Sequence, residues 1–375
     1  MRQATFVRQD GFVHSRESCR AQRNVRGVAL PARGLEAERA EFVLRFSRTA
    51  TGYSPGMLKS LAKTALRPLW APMRRRVEFV IRSELNRPLN PAVHSALCKQ
   101  RDFSTAWYLK WKQIIADAAP QLDVDQAAVW GPVWDGMKGK WMHRKLWEWC
   151  VVAQALEERG MLVPGRKGIG FAVGHEPLPS LFAKRGVEVV ASDFHGEGAE
   201  PNWASTGQLG ESLQAIHWPG VLPAAEFGER ATYQNIDMRD LSALPKEAFD
   251  FSWSSCSFEH LGSLEAGLKF LVDSIDCLKP GGIAVHTTEF NVSSNDATLE
   301  TGGSVIYRRK DIEAFDLRLR SLSCAIEGLD FDAGSEQHDI AYDYPPYYTH
   351  GRQHLKLELD GFVSTSLLLI IRKAA

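Results

Sequence analysis

The residues best suited to chemistry begin at a glycine-bearing turn, Gly168-x-Gly170-Phe171-Ala172-Val173-Gly174. A second apolar segment follows and ends on Asp193, nineteen residues after Gly174. Glycines let a ligand approach the backbone closely, and the helix expected after such a turn offers free N–H groups. The acid at the end of the second strand can accept hydrogen bonds from both hydroxyls of a ribose. This β-α-β pattern predicts a site for a cofactor that contains a nucleoside.

More polar residues follow the later predicted strands. Asp237 and Met238 come after a predicted third strand at 231–236, and Ser254 and Ser255 come at the end of a fourth at 249–254. The pair Glu259-His260 follows, and a fifth strand at 283–289 carries His286 and Glu289 and is followed by Asn291. Ligands of open α/β sheets bind beyond the carboxyl ends of the strands. The pattern therefore predicts one site at one edge of the sheet.

Strands and helices alternate from about residue 161 to the last residue, which favours a mostly parallel sheet covered on both faces. Two last apolar segments, 355–359 and 364–371, flank the turn at Asp360-Gly361 and predict an antiparallel hairpin. We therefore predict an α/β, Rossmann-like sheet of seven strands in the order 3-2-1-4-5-7-6. Residues 161–375 would form this domain, with a helical extension before it.

The stretch Phe249–Leu261 leads into a helix that ends at Leu278-Lys279-Pro280-Gly281-Gly282, and a strand follows. This succession resembles class I S-adenosylmethionine-dependent methyltransferases over roughly 161–375, most specifically from Phe249 to Phe290. The segments SFEHLGSLEAGL and VHTTEFN are similar to bacterial members associated with glycan and cell-surface polysaccharide gene sets. The chain departs from the family at Ala172, which replaces the middle glycine of the turn. We expect binding to survive this change if Ala172 has a negative φ.

The resemblance implies S-adenosylmethionine as cofactor and assigns parts of it to residues of this chain. The turn Gly170–Gly174, including Phe171 and Ala172, would pass beside the carboxypropyl end, and Asp193 would bind the ribose hydroxyls. Asp237 would take the adenine amine and Met238 would cover the ring. Ser254 and Ser255 would lie near the methionine part.

Methyl transfer to a hydroxyl also needs a group that accepts the proton. His260 is the first candidate because an imidazole titrates near neutrality, and Glu259 stands beside it. Glu289, with Asn291, could position a polar acceptor such as a sugar hydroxyl. His286 is expected to be a buried strand histidine. The acceptor is expected to be a small molecule or a glycan.

The N-terminal part of the chain is strongly basic. Residues 1–56 hold ten Arg and no Lys against five acids, and residues 57–90 hold eight Lys or Arg against two Glu. We expect 1–56 to be a disordered basic arm or an over-long start of the gene. Apolar residues at helical spacing from 58 to 81 predict an amphipathic helix, which either packs on the protein or lets 57–85 contact an anionic membrane.

Residues 57–160 are predicted to be helical and are rich in tryptophan, which is expected to be packing rather than a sugar-stacking surface. The six cysteines are scattered without CxxC spacing, so we expect no metal centre and a reducing, cytoplasmic location. No apolar run has the length of a membrane span.

Three other functions stay open. A nicotinamide-dependent oxidoreductase or epimerase would use the same glycine turn, although no Tyr-x-x-x-Lys pair is present for it. A non-catalytic scaffold of the same fold is compatible with Ala172. Nucleic-acid methylation is disfavoured by the acidic body, and Asp343-Tyr344-Pro345-Pro346-Tyr347 resembles the Asn-Pro-Pro-Tyr motif only superficially.

Overall fold

The sheet and the helices around it are seen in a computed structural model that describes residues 92–119, 131–196 and 208–375. The described residues all belong to one compact unit. The predicted arm at 1–56, the amphipathic helix at 58–81 and the membrane contact at 57–85 lie outside them, as does Trp130. No helix within the described ranges combines the length and the apolar character needed to cross a bilayer.

The strands run in the order β3-β2-β1-β4-β5-β8-β6, and β7 pairs with β8 beside β6. Their bounds are Lys167–Gly170 (β1), Glu188–Asp193 (β2), Ala231–Asn235 (β3), Phe249–Ser255 (β4), Leu278–Asn291 (β5), Cys324–Ile326 (β6), Leu357–Leu359 (β7) and Phe362–Lys373 (β8). The first five strands are parallel, and β8 is antiparallel to β5. The predicted Rossmann-like α/β sheet is therefore confirmed with a similar strand order, but it has eight strands instead of the seven predicted.

The edge strand differs from the prediction. The place expected for 355–359 is shared by two short strands, because β6 pairs with the end of β8 at 371–373 while β7 pairs with its beginning at 362–364. No strand was expected at β6, since three residues are too few to show a period. The strand β5 also begins earlier than expected, at Leu278, and a register irregularity against β4 accommodates Pro280-Gly281-Gly282.

Helices cover both faces of the sheet. They are Ala106–Ala118 (α1), Gly131–Met137 (α2), Arg144–Glu158 (α3), Leu178–Lys184 (α4), Ala224–Arg230 (α5), Leu264–Asp276 (α6), Arg309–Ser321 (α7) and Gln337–Ile340 (α8). The apolar residues of α3 and α4 pack with Leu368 and Ile370 in one core, whereas α6 and α7 pack with Leu367 and Leu369 in another. Alternate residues of β8 thus face opposite cores, as expected for a strand buried on both sides.

Among the described residues, three tryptophans of the helical region are core packing residues, as expected. Trp111, Trp147 and Trp149 are almost fully buried in the core that contains α3. The helix α3 leads directly toward β1 and places its N-terminal residues, Arg144 and Lys145, against the carboxyl ends of β4 and β5. The helix α3 therefore brings two cations to the edge of the sheet where the strands end.

Substituting Gly168 by alanine should lower the free energy of unfolding by about 1–3 kcal/mol, the usual cost of overpacking a core. Gly168 lies in β1, and a Cβ atom there would come within 2.2 Å of the Phe251 ring. Urea denaturation measures the change. Gly228→Ala in α5 is the matched control, because a Cβ atom at that position would have no neighbouring atom within 4 Å among the described residues. A stability loss equal to that of Gly168→Ala would contradict the prediction.

Candidate functional site

A cavity of about 520 Å³ opens at the carboxyl ends of the central strands. This volume lies within the range of small-molecule sites. The walls come from the turn after β1, the end of β2, the turn after β3, the segment after β4, the N-terminus of α3 and the segment before β7. The order of the sheet reverses between β1 and β4, so the cavity lies at the topological switch point, where such folds bind ligands.

The glycine turn forms one wall with a conformation that a side chain would disturb. Gly174 has a φ of 50°, and a Cβ atom there would lie 2.6 Å from the carbonyl oxygen of Gln208. Ala172 has a φ of 48°, so the negative φ set as a condition for unimpaired binding is not met. A left-handed alanine costs on the order of 1 kcal/mol. The turn thus keeps the shape that a glycine would give, at a cost in stability.

Asp193 lines the cavity at the end of β2 but is already partly engaged. Its Oδ2 accepts hydrogen bonds from the backbone N–H of Gly174 at 3.1 Å and of Gly210 at 3.0 Å, and its Oδ1 accepts from Phe194 N–H at 2.9 Å. A carboxylate offers about four acceptor positions, so room is left for about one hydroxyl rather than two. Burial raises the pKa of Asp193, and the three amides oppose that shift.

The turn after β3 supplies a carboxylate and a thioether to the cavity, from Asp237 and Met238. Asp237 is held by Arg239, whose Nε lies 2.9 Å from each carboxylate oxygen. Burial alone would raise the pKa of Asp237, but the hydrogen bonds from Arg239 leave it lowered. The Arg239 guanidinium lies 5.4 Å from the centre of the Phe194 ring, and Met238 lines the same part of the cavity. An aromatic face, a thioether and a carboxylate together suit a purine.

The structure brings the predicted cofactor residues to the same edge of the sheet but not all of them to the cavity surface. Gly170 and Phe171 lie behind the turn, where the Phe171 ring is fully buried and contacts Phe270 edge-on. Ser254 points to the other side of β4 and lies 2.8 Å from Nδ1 of His286. Ser255, in contrast, lines the cavity. The alternation of a strand places only one of two successive serines on a given face.

Two buried carboxyl groups and a thiol meet on the side of the cavity opposite Asp237. Ligand atoms of Cys256, Glu259 and Glu289 lie within 4.8 Å of one another. The Cys256 thiol donates to Glu148 at 3.1 Å, and the carboxylate of Glu289 accepts from Arg144 and Ser364. The thiol and the Glu289 carboxylate are therefore already paired with protein groups.

Of these two carboxyl groups, Glu259 accepts fewer hydrogen bonds from protein groups. It is fully buried, and Thr288 donates to its Oε2 at 3.1 Å. Burial raises the pKa of Glu259 to about 8, and the charge of Glu289 adds to the shift. Glu259 is thus mostly protonated at neutral pH and can donate a hydrogen bond as well as accept one.

A buried ion pair on α3 contacts the end of β4 beside these carboxyl groups. Lys145 Nζ lies 2.7 Å from Glu148 Oε2 and donates to the carbonyl of Ser255 at 3.0 Å. Burial alone would lower the pKa of Lys145, but Glu148 raises it. The same pairing lowers the pKa of Glu148 against the effect of burial. Both groups therefore stay charged around neutral pH.

His260 lines the cavity next to Glu259. Its Nδ1 lies 2.7 Å from the carbonyl oxygen of Gly303, and its Nε2 lies 4.0 Å from Glu259 Oε1. Burial lowers the pKa of His260, so the ring is neutral at pH 7 and Nδ1–H donates to Gly303. Asn291 instead holds the loop after β5 by accepting from Ser293 and Ser294 N–H. His286 is fully buried, as expected, and burial lowers its pKa to about 3.

A second histidine at this cavity was not expected from the sequence. His354 lines it, and its Nδ1 lies 3.0 Å from Oδ2 of the buried Asp343. Asp343 also accepts from Tyr348 N–H at 3.1 Å. Burial lowers the pKa of His354 to about 4. The spacing of Asp343 and His354 within a proline-containing loop carries no periodic signal, so only the fold brings them together.

No protein-family model matches the chain, and no curated protein matches it. Similar solved structures include an S-adenosylmethionine-dependent methyltransferase from Mesorhizobium loti, 15% identical, covering 59% of this chain and all of that one with a TM-score of 0.35. Another is the 1,6-didemethyltoxoflavin-N1-methyltransferase of Burkholderia thailandensis, 12% identical, covering 72% of this chain and 92% of that one with a TM-score of 0.36. Function does not transfer at such values, because one fold serves many activities.

Proposed function

We propose that this chain transfers a methyl group from S-adenosylmethionine to a small-molecule or glycan acceptor, at a hydroxyl. The observation that carries the proposal is the common cavity of the glycine turn, Asp193, Asp237 and Met238 at the ends of successive strands. These residues fit the parts of an adenosine: a carboxylate for the ribose, and a carboxylate and a thioether for the adenine. The turn would cradle the adjoining chain of the cofactor.

The charge around the turn favours this cofactor over a dinucleotide. A dinucleotide places its pyrophosphate at the glycine turn and the helix after it. Here the buried carboxyl of Glu176 follows closely after Gly174 and lines the cavity. A carboxyl group at this place disfavours an anionic pyrophosphate and suits a cationic ligand group.

The bound cofactor supplies an activated methyl group, so the chain must align the acceptor and remove its proton. His260 is the proposed base, because its neutral ring donates through Nδ1 and its Nε2 then carries the lone pair that accepts a proton. Glu259 is protonated at neutral pH and would position the acceptor by a hydrogen bond. Glu289 in β5, held by Arg144, would also position the acceptor by a hydrogen bond.

His354 is a second candidate for the base, favoured by its contact with Asp343, which fixes the ring as in other histidine–carboxylate pairs.

The bacterial glycan-related subtype rests on the segments SFEHLGSLEAGL and VHTTEFN, and a cytoplasmic location with membrane contact through 57–85 is part of the same proposal. A glycan acceptor fits a cavity whose acceptor side carries carboxyl, imidazole and hydroxyl groups next to Tyr347.

Calorimetry with S-adenosylmethionine, S-adenosylhomocysteine and NAD tests the cofactor. We expect the two sulfur compounds to bind and NAD to give no heat. Binding of NAD alone would replace the proposal by the oxidoreductase alternative. If the sulfur compounds bind but no labelled methyl group reaches any fraction of a bacterial small-molecule and glycan extract, the scaffold alternative is favoured.

A further inference from the structure

The strand order decides which groups face the amino-acid end of the cofactor, given the proposed function on which this inference rests. Adenosine is assigned to Asp193 after β2 and Asp237 after β3. Since the order is β3-β2-β1-β4, the rest of the cofactor must extend toward β1 and β4. The polar groups of the cavity on that side include Glu176, Ser255 and Lys145.

Glu176 stands out among these groups because its hydrogen-bond partner within the described residues, Trp253, is neutral. The indole N–H of Trp253 donates to its Oε1 at 2.6 Å, and the hydroxyl of Ser255 lies against the same carboxyl. The side chain is 3% exposed. The nearby cation, Lys145, is held by Glu148 instead. A buried carboxyl that faces a ligand cavity with only neutral partners suits a cationic ligand group.

We propose that the Glu176 carboxylate binds the α-ammonium of the methionine end of the cofactor, and that Glu176 gives up its proton when this end binds. Lys145, which also lines the cavity, would attract the α-carboxylate. The site is thereby selective for a ligand with an intact amino-acid end.

This assignment makes cofactor binding depend on pH. Burial raises the pKa of Glu176 to about 7, and an ammonium in contact would lower it, so binding releases a proton below about pH 7. Affinity should therefore rise with pH and level off above pH 7. Among the described residues, Lys145 and Glu148 on α3 are the charged groups that act on Glu176, and their mutual pairing keeps both charged over this range.

The test compares S-adenosylhomocysteine with 5′-methylthioadenosine, which has the adenosine but lacks the amino-acid end. Calorimetry between about pH 5.5 and 7.5 should show the affinity of the wild-type chain for S-adenosylhomocysteine rising by roughly tenfold or more. The affinity for methylthioadenosine should show no such rise. Because both ligands contain the adenosine that is assigned to Asp193, the comparison between them separates the effect of Glu176 from any effect of Asp193. Two buffers of different ionisation enthalpy should reveal proton release with S-adenosylhomocysteine only.

Glu176→Gln should weaken S-adenosylhomocysteine binding about tenfold or more at pH 7.5, remove its pH dependence and leave methylthioadenosine unchanged. Glu259→Gln is the matched control, a buried carboxyl of raised pKa on the acceptor side of the same cavity, and it should leave both affinities unchanged. Equal weakening of both ligands by Glu176→Gln, or no proton release by the wild-type chain, would overturn the assignment. If the wild-type chain binds neither ligand, both the Glu176 assignment and the proposed function fail.

Discussion

Replacing Asp193 by alanine should weaken S-adenosylhomocysteine binding at least tenfold and lower the free energy of unfolding by about 2–4 kcal/mol. A hydrogen bond to a charged acceptor contributes about 1.5–3 kcal/mol, and each 1.4 kcal/mol is a factor of ten in affinity. The stability loss arises because the carboxylate also holds the N–H groups of Gly174, Gly210 and Phe194. Calorimetry and chemical denaturation measure the two effects separately.

Asp250→Ala is the matched control at the opposite edge of the sheet. Asp250 lies near the start of β4 and pairs with Arg166 at 2.8 Å and Lys279 at 2.7 Å. Its loss should lower stability by a comparable amount while leaving the affinity of the folded protein unchanged. An Asp193→Ala protein that is folded and binds as tightly as the wild type would remove the ribose assignment and most of the methyltransferase proposal.

Glu259→Gln should stabilise the chain relative to the wild type increasingly as the pH rises, by about 3–4 kcal/mol between pH 5 and pH 8. The folded-state pKa of Glu259 is about 8, above the ordinary 4.5. The folded protein therefore holds a proton that the unfolded chain releases, and the stability contributed by Glu259 is full below about pH 4.5 and is lost as the pH rises to about 8. A glutamine has no such proton to lose.

Urea denaturation of both proteins at several pH values measures this difference. Glu229→Gln, on the exposed surface of α5, is the control and should show a difference that does not grow with pH. If the free-energy gap between Glu259→Gln and the wild type is the same at pH 5 and pH 8, Glu259 is not a protonated carboxyl in the folded state.

The sheet was predictable because its strands have distinct patterns. The apolar run at 367–371 and the acids at the ends of β2 and β3 follow from local sequence alone. The helix α6 was also expected from the sequence, and in the structure Ser263 caps its start by accepting from Ala266 N–H. β6 was missed because a strand of three residues owes its place to pairing with β8 rather than to any pattern of its own.

The cofactor side of the cavity was easier to predict than the acceptor side. Asp193 and Asp237 follow strands directly, so their place depends on one strand each. Arg144 and His354 reach the cavity only through packing between distant segments, such as the contact of Arg144 with Glu289. The left-handed φ of Ala172 is likewise set by the turn and not by the preference of alanine.

The central place of β8 constrains the order in which the molecule can assemble. β8 is among the last segments of the chain, yet it lies between β5 and β6. The edge strands β6 and β7 form their ladders with β8, so neither can join the sheet before β8 has inserted beside β5. His354 and Leu357 belong to the segment between β6 and β8. The adenosine half of the cavity can therefore form without β8, whereas the part that contains His354 and Leu357 must wait for pairing across a long stretch of chain, which is slow.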